Sequence, residues 1–141
     1  MVPENSKVID IGTDHGFVPI YLFKAKNCSC LATDISFNSL NKAITNASKT
    51  KASIEFKRTD GLDGIALDNQ IIIICGMGTN NIIKILDKHI KNDLIISSNN
   101  DEKTLKEFLI NKGYSVLKEE KAPPKNQTIY YFKYMQQKNN Q

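Results

Sequence analysis

Four consecutive isoleucines, Ile71 to Ile74, run directly into Cys75 and Gly76. The run is far shorter than the roughly 20 apolar residues a membrane span needs. β-Branched residues with no polar alternation suit a strand covered on both faces, in the middle of a parallel sheet. Helices must then cover that sheet, and the chain supplies strands and helices in alternation. Lys7 to Ile11 reads as a strand closed by Gly12. Phe17 to Lys26 reads as a helix with Pro19 in its first turn, where proline is tolerated. Ser29 to Asp34 is a second strand, and Ser36 an expected N-cap before a stripe of Phe37, Leu40, Ile44 and Ala47. Ala52 to Arg58 and Asn69 to Cys75 are the third and fourth strands. Ile82, Ile83, Leu86 and Ile90 form the next helical stripe, and Asp93 to Ser98 a fifth strand. Asn100 or Asp101 caps a helix carrying Leu105, Phe108 and Leu109, which Gly113 stops. Tyr114 to Ala122 and Gln127 to Met135 are strand-like, and the Pro123 to Asn126 link is too short for a crossover helix. The expected fold is therefore α/β: a seven-stranded, mostly parallel sheet with an antiparallel C-terminal hairpin and helices on both faces.

A length of 141 residues suits one domain. The start, Met1 to Lys7, is polar, so no secretory leader is read there. Cys28, Cys30 and Cys75 lack C-x-x-C spacing, which suits reduced thiols in a cytoplasmic protein rather than a zinc site or disulfide frame. The net charge is +4. It is uneven: Lys42, Lys49, Lys51, Lys57 and Arg58 face Glu55 alone, and lysines recur from Lys118 onward. A nucleic-acid partner and a solvated basic surface both fit that pattern.

In open α/β sheets, ligands sit in the loops at the carboxyl ends of strands. The first such loop is Asp10-Ile-Gly-Thr-Asp-His-Gly16. Its glycines permit a tight turn and close approach of backbone to a ligand. The spacing is not G-x-G-x-x-G, and an acid in the loop suits an amine or cation better than a phosphate. Asp34 ends the second strand, 22 residues after Gly12. An acid there accepts hydrogen bonds from ribose hydroxyls, or caps the next helix. Asp60-Gly61 suits either an exocyclic amine or a simple turn. Cys75-Gly76-Met77-Gly78 gives a substrate close access and a soft apolar contact. Ser97-Ser98-Asn99-Asn100 offers amides to a substrate or to a helix cap. Phe17 is expected in the core.

Taken together, these loops resemble those of the class I S-adenosylmethionine-dependent methyltransferases, whose Rossmann-like sheet has seven strands with the last antiparallel. D-I-G-x-D-H-G, T-D-G-L at residues 59 to 62 and C-G-M-G at 75 to 78 are closest to the bacterial tRNA (adenine-22-N1)-methyltransferases. Their loops commonly read D-I-G-S-D-H-A, G-D-G-L and A-G-M-G-G. The resemblance covers about residues 7 to 134. Gly16 departs from the family's alanine and Thr79 from its second glycine. The family's leading helical segment and C-terminal helical domain have no counterpart in these residues, so a trimmed or reduced form is expected.

The resemblance implies a catalytic domain over residues 1–135, with 136–141 a frayed tail. It implies an S-adenosylmethionine site built from Asp10, Gly12, Thr13, His15, Gly16, Asp34, Ile35, Asp60, Gly61, Cys75 and Gly76. Met77, Gly78, Asn99 and Tyr21 would meet the substrate. The methyl group would pass to adenine N1 in a single in-line displacement, without a covalent enzyme intermediate. Asp14 would either stabilise the cationic product and take a proton from N6, or bind the cofactor or cap the helix at Phe17. No metal is needed. The absence of D/N-P-P-Y after the fourth strand argues against the common kind of N6-adenine methylation. tRNA is the implied partner, held weakly without the helical domain. Another RNA, a small molecule, or a non-catalytic role in presenting a basic face to RNA stays open as an alternative.

Overall fold

The computed structural model describes residues 1–122 and 127–135. The expected turn at 123–126 and the expected frayed tail at 136–141 lie outside them. Eleven elements follow along the described chain: β1 (Lys7–Ile11), α1 (Phe17–Lys26), β2 (Ser29–Asp34), α2 (Phe37–Thr50), β3 (Glu55–Arg58), β4 (Ile71–Met77), α3 (Thr79–Leu86), β5 (Leu94–Ser98), α4 (Glu102–Asn111), β6 (Tyr114–Ala122) and β7 (Gln127–Tyr134). The strands form one sheet in the order β3-β2-β1-β4-β5-β7-β6. β1 pairs parallel with β2, and β2 with β3. β7 runs antiparallel to both β5 and β6. This is the Rossmann-like arrangement expected, closing hairpin included. All four isoleucines of β4 are buried.

The chain divides into two compact units, Met1–Ile73 and Ile74–Gln141. In the first, α1 and α2 pack on each other and on the strands. Pro19 is the third residue of α1 and is buried. At that position an N–H would have no partner within the helix, so proline costs nothing there. Ser36 caps α2, its hydroxyl accepting from Ser39 N at 3.2 Å. The buried face of α2 is Leu40, Ala43 and Ala47, which keeps Leu40 and Ala47 of the expected stripe and loses its other two members. Phe37 and Ile44 are 57% and 42% exposed. The reason is Ala43: a small residue there lets the backbone of Gly16 come close. A Cβ added to Gly16 would lie 2.9 Å from Ala43 Cβ, and Gly16 has φ +79°. β3 is shorter than expected, beginning at Glu55 rather than Ala52.

In the second unit, α3 and α4 pack together. α3 ends at Leu86, short of the stripe's last member, Ile90, which is nonetheless buried. The chain leaves the helix because Tyr114 satisfies the backbone beyond it. Its buried hydroxyl donates to Asn92 O at 2.7 Å, with Ile90 O at 3.3 Å. Asp101 caps α4 by accepting from Thr104 N at 3.3 Å. Leu105 and Leu109 are fully buried, and Gly113 follows the helix with φ +98°. β4 starts and ends two residues later than expected, taking Gly76 and Met77 into the strand. A pairing irregularity between Val116 and Lys118 leaves Leu117 exposed on β6.

The contact at Gly16 yields a direct test. Gly16→Ala adds left-handed strain and a methyl where there is no room, and should cost about 1–3 kcal/mol. Urea unfolding of the two proteins measures this. Equal midpoints would show that Ala43 yields without cost.

Candidate functional site

In the first unit, the carboxyl ends of β1 and β2 bring three carboxylates into one region. Asp34, the last residue of β2, is the organising one. Its Oδ2 accepts from Asp14 N at 3.0 Å and its Oδ1 from Ser36 N at 2.9 Å. One side chain thus ties the loop after β1 to the loop after β2. A carboxylate has about four acceptor positions, so half remain for hydroxyl donors. Asp14 is a non-glycine residue with φ 55°. Asp34 accepts the amide that this conformation presents. The side chain of Asp14 is 65% exposed, and His15 Nδ1 lies 3.1 Å from its Oδ2. The His15 ring stacks on Phe17 at 5.4 Å, and its carbonyl accepts from Asn46 Nδ2 at 2.9 Å. These contacts give His15 a loop-packing role.

Asp10 is buried at the end of β1. Burial pushes its carboxyl up to about 7; Thr13 opposes the shift and the nearby charge of Asp34 adds to it. The Thr13 hydroxyl is itself buried and meets no partner at hydrogen-bond geometry. Its backbone is held, with N donating to Thr33 O and O accepting from Gly16 N, each at 2.9 Å. Gly12 has φ 71°, a conformation closed to β-branched residues. Gly16 also allows α1 and α2 to approach.

Around these acids the surface is apolar. Phe17 is 67% exposed, against the expectation that it packs in the core. The buried residues of α1 are Pro19 and Leu22, so Phe17 and Tyr21, one turn apart, share an outward face. Ile35 is exposed directly after Asp34. Its carbonyl accepts from Arg58 Nε at 3.1 Å, and the same guanidinium covers Phe37 at 5.7 Å. Neither Arg58 nor Phe37 stood out in the sequence, because their link depends on β3 ending beside β2. Asp60 and Gly61 form a turn in which Asp63 N donates to Asp60 O at 3.0 Å. A cavity of about 530 Å³ also exists in this unit, but its lining starts at Lys7, Ser29 and Glu55, at the amino ends of the strands. It contains none of the three acids.

In the second unit, Asn99 braces the end of β4. Its N donates to Met77 O at 2.8 Å and its Nδ2 to Gly76 O at 2.9 Å. Gln127 Nε2 in turn donates to Asn99 Oδ1 at 3.0 Å. Asn100, not Asn99, serves the start of α3: its Oδ1 accepts from Thr79 N at 2.9 Å and lies 3.4 Å from a Cβ built on Gly78. Gly76 has φ +88°, and a Cβ built on it would meet no atom within 4 Å. The Ser97 hydroxyl is buried without a hydrogen-bond partner.

Residues 1–132 match the family described as a methyltransferase domain. The chain belongs to the methyltransferase-domain family. This methyltransferase domain is 39% identical over 71 residues to the release factor glutamine methyltransferase of Lactococcus lactis subsp. lactis, half of this chain and 26% of that one. Among solved structures it is similar to M. capricolum TrmK in complex with S-adenosyl-homocysteine, with a TM-score of 0.81 and 26% identity, over 99% of this chain and 68% of that one. A Streptococcus agalactiae protein of the NADB-Rossmann superfamily gives a TM-score of 0.85 at 27% identity, over 99% and 66% of the two chains. The B. subtilis M1A22 tRNA methyltransferase TrmK gives 0.83 at 22% identity, over 94% and 62%, which carries the fold. The chain thus spans about a quarter of the curated relative and about two thirds of the solved structures. The family resemblance read from the loops agrees with these neighbours. Among the described residues, no helix is long and apolar enough to cross a membrane, and no cluster of His, Cys, Asp and Glu could hold a metal ion.

The donor set fits a ligand with a diol and positive charge: carboxylates surround the loops, and the one nearby guanidinium is turned to Ile35 and Phe37. Such a set repels phosphate. Asp10 also makes stability depend on pH in a calculable direction. Its folded-state value is raised from 3.8 to about 7, so the folded protein holds the extra proton between those limits. Stability should therefore fall as pH rises from about 4 to about 7 and then level off. Thermal unfolding across that range should show the slope, and Asp10→Asn should flatten it. An unchanged slope in the variant would put the titrating group elsewhere.

Proposed function

We propose that this chain transfers a methyl group from S-adenosylmethionine to N1 of an adenosine in tRNA, at position 22 by its resemblance to that family. The observation that carries the reading is the pairing of Asp34 with the Asp14 amide, which gathers acids where a diol-bearing, cationic cofactor has complementary chemistry. The likeness to TrmK structures supports the choice of acceptor. When bound, the cofactor supplies an electrophilic methyl group on a sulfonium. On this reading residues 1–135 act as the catalytic domain.

On this reading the residues divide the work among them. Asp34 retains two acceptor sites for ribose hydroxyls. Ile35 offers an apolar face to the adenine, and Asp60 an acceptor for its exocyclic amine. Asp10 and Thr13 present polar groups to the amine-bearing end. Gly12 allows close approach of its backbone. Asp14 is exposed, and is positioned by Asp34 and His15 to stabilise the positive charge the base acquires, or to accept its N6 proton. Met77, Gly78, Asn99 and Tyr21 are assigned to the acceptor, and Cys75 and Gly76 to both the cofactor and the close approach of the acceptor, with Tyr21 and Phe17 available for stacking. Lys42, Lys49, Lys51 and Lys57 supply a salt-sensitive, nonspecific attraction to RNA. The partial match to a release factor methyltransferase supports a second reading, in which the same cofactor serves a different acceptor.

Titration with S-adenosylhomocysteine, combined with methylation of bulk tRNA and mapping of the product, tests the reading. Binding plus N1-methyladenosine at one tRNA position is expected. Binding without tRNA methylation would favour the second reading, and no binding would remove both. Asp34→Ala should weaken S-adenosylhomocysteine by about 1.5–3 kcal/mol, roughly 10–150-fold. An unchanged affinity would sink the ribose assignment. Asp14→Asn should slow single-turnover methylation on the order of 10²-fold at saturating cofactor. If cofactor affinity falls and the single-turnover rate holds, Asp14 is a ligand and has no part in the chemistry.

A further inference from the structure

The end of β4 presents backbone where the proposed reaction needs the acceptor. The last residues, Gly76 and Met77, have both carbonyls engaged by one residue, Asn99: Nδ2 to Gly76 O at 2.9 Å and N to Met77 O at 2.8 Å. Gly76 needs such a hold. Its φ of +88° is a conformation only glycine adopts easily, and no atom lies within 4 Å of where a Cβ would be. No side chain covers that side, and the hydrogen bonds from Asn99 contribute to holding this peptide. Asn99 is itself exposed. The other end of its amide is held by Gln127 at the start of β7, whose Nε2 donates to Asn99 Oδ1 at 3.0 Å. That bond determines which end of the Asn99 amide faces Gly76: with Oδ1 turned to Gln127, Nδ2 must point at the carbonyl.

We infer that Gln127 is a positioning residue for the acceptor: through Asn99 it sets the orientation of the Gly76–Met77 backbone on which the target base is received. The inference rests on the reading of this strand end as the acceptor side. Gln127 bonds to Asn99, and its effect on Gly76 and Met77 passes through that residue. Removing the Gln127 donor frees the Asn99 amide to turn, and a turned amide places Oδ1 against the Gly76 carbonyl. That arrangement is repulsive, so the peptide must move or the amide must swing away. Gln127→Glu should fail to restore the brace, since a carboxylate has no N–H to give Asn99 Oδ1. Gln127 lies in a region far along the chain from the glycine loop, and no spacing rule connects the two.

The test uses the whole chain and tRNA. Gln127→Ala, Gln127→Glu, Asn99→Ala and the Gln127→Ala/Asn99→Ala pair are compared in single-turnover methylation, with S-adenosylhomocysteine affinity and amide NMR spectra recorded alongside. Gln127→Ala and Gln127→Glu should each slow methyl transfer or raise the tRNA KM by about 3–10-fold, the range of a single hydrogen bond. S-adenosylhomocysteine affinity should change by less than the methylation does. The Asn99 backbone amide should exchange faster with solvent and the Gly76 resonance should shift in both variants. The pair should lose no more than Asn99→Ala alone, because the two residues act in series. Wild-type rates in Gln127→Ala, full activity in Gln127→Glu, or additive losses in the pair would each overturn the proposal while leaving the methyltransferase reading intact. A wild-type chain that binds S-adenosylhomocysteine yet methylates no tRNA would overturn the acceptor reading, and the role of Gln127 with it.

Discussion

The carboxylate of Asp34 holds the first unit's loops in register with each other. Its two oxygens accept from Asp14 N and Ser36 N, so it fixes the backbone on both sides of the gap between β1 and β2. Asp14 then tolerates a left-handed conformation that costs about 1 kcal/mol for a residue with a Cβ. Charge-assisted hydrogen bonds to a carboxylate are worth about 1.5–3 kcal/mol each, enough to outweigh that strain. The same bond aims the amide of Asp14 inward and leaves its side chain outward. On the proposed function, such a loop meets the cofactor with its acid already displayed.

That arrangement has an electrostatic cost, and Asp10 shows where it falls. Buried among neighbours that include Asp34, Asp10 holds its proton up to about pH 7. Cys30, one strand over, is pushed up to about 12 by burial, then by Cys28 and Asp10, so its thiol is inert. A site built only to stabilise the fold would not crowd acids at adjacent strand ends. A cationic ligand would relieve that crowding, and this is the physical reason to read the cluster as a binding site.

Element order and strand topology were legible in the sequence because they follow from periodicity and loop length. The isoleucine run of β4, the Ser36 cap and the stop at Gly113 each rest on a single local rule, and each appears where that rule puts it. The failures share a cause: local pattern was outweighed by packing. Ile90 kept helical phase with Leu86, but Tyr114 drew its backbone out of the helix. Phe37 and Ile44 lost the buried face of α2 to Ala43, because Gly16 had to come close. Phe17 was placed in the core on hydrophobicity alone, whereas helix α1 turns it outward beside His15. The acids of the loops stand out as candidates because ligand sites of such sheets lie at strand ends. The links of Arg58 to Ile35, Asn100 to Thr79 and Gln127 to Asn99 do not, because those partners meet only in three dimensions.

The two ends of the sheet that carry loops solve different problems. In the first unit, side chains do the work: acids and exposed apolar groups define what kind of molecule can be held. In the second, glycines strip the side chains away, and the backbone itself becomes the surface. A backbone surface has little intrinsic rigidity at Gly76, whose left-handed freedom is also freedom to move. Asn99 and Asn100 supply what the glycines lack, one bonding to the carbonyls of Gly76 and Met77 and the other to the amide of Thr79. Two adjacent asparagines thus hold main-chain groups of Gly76, Met77 and Thr79, on both sides of Gly78. What the glycines lack at the strand end is supplied from the loop after β5, as hydrogen bonds rather than bulk. Open access and a fixed shape can coexist there only because the restraint comes from outside the strand.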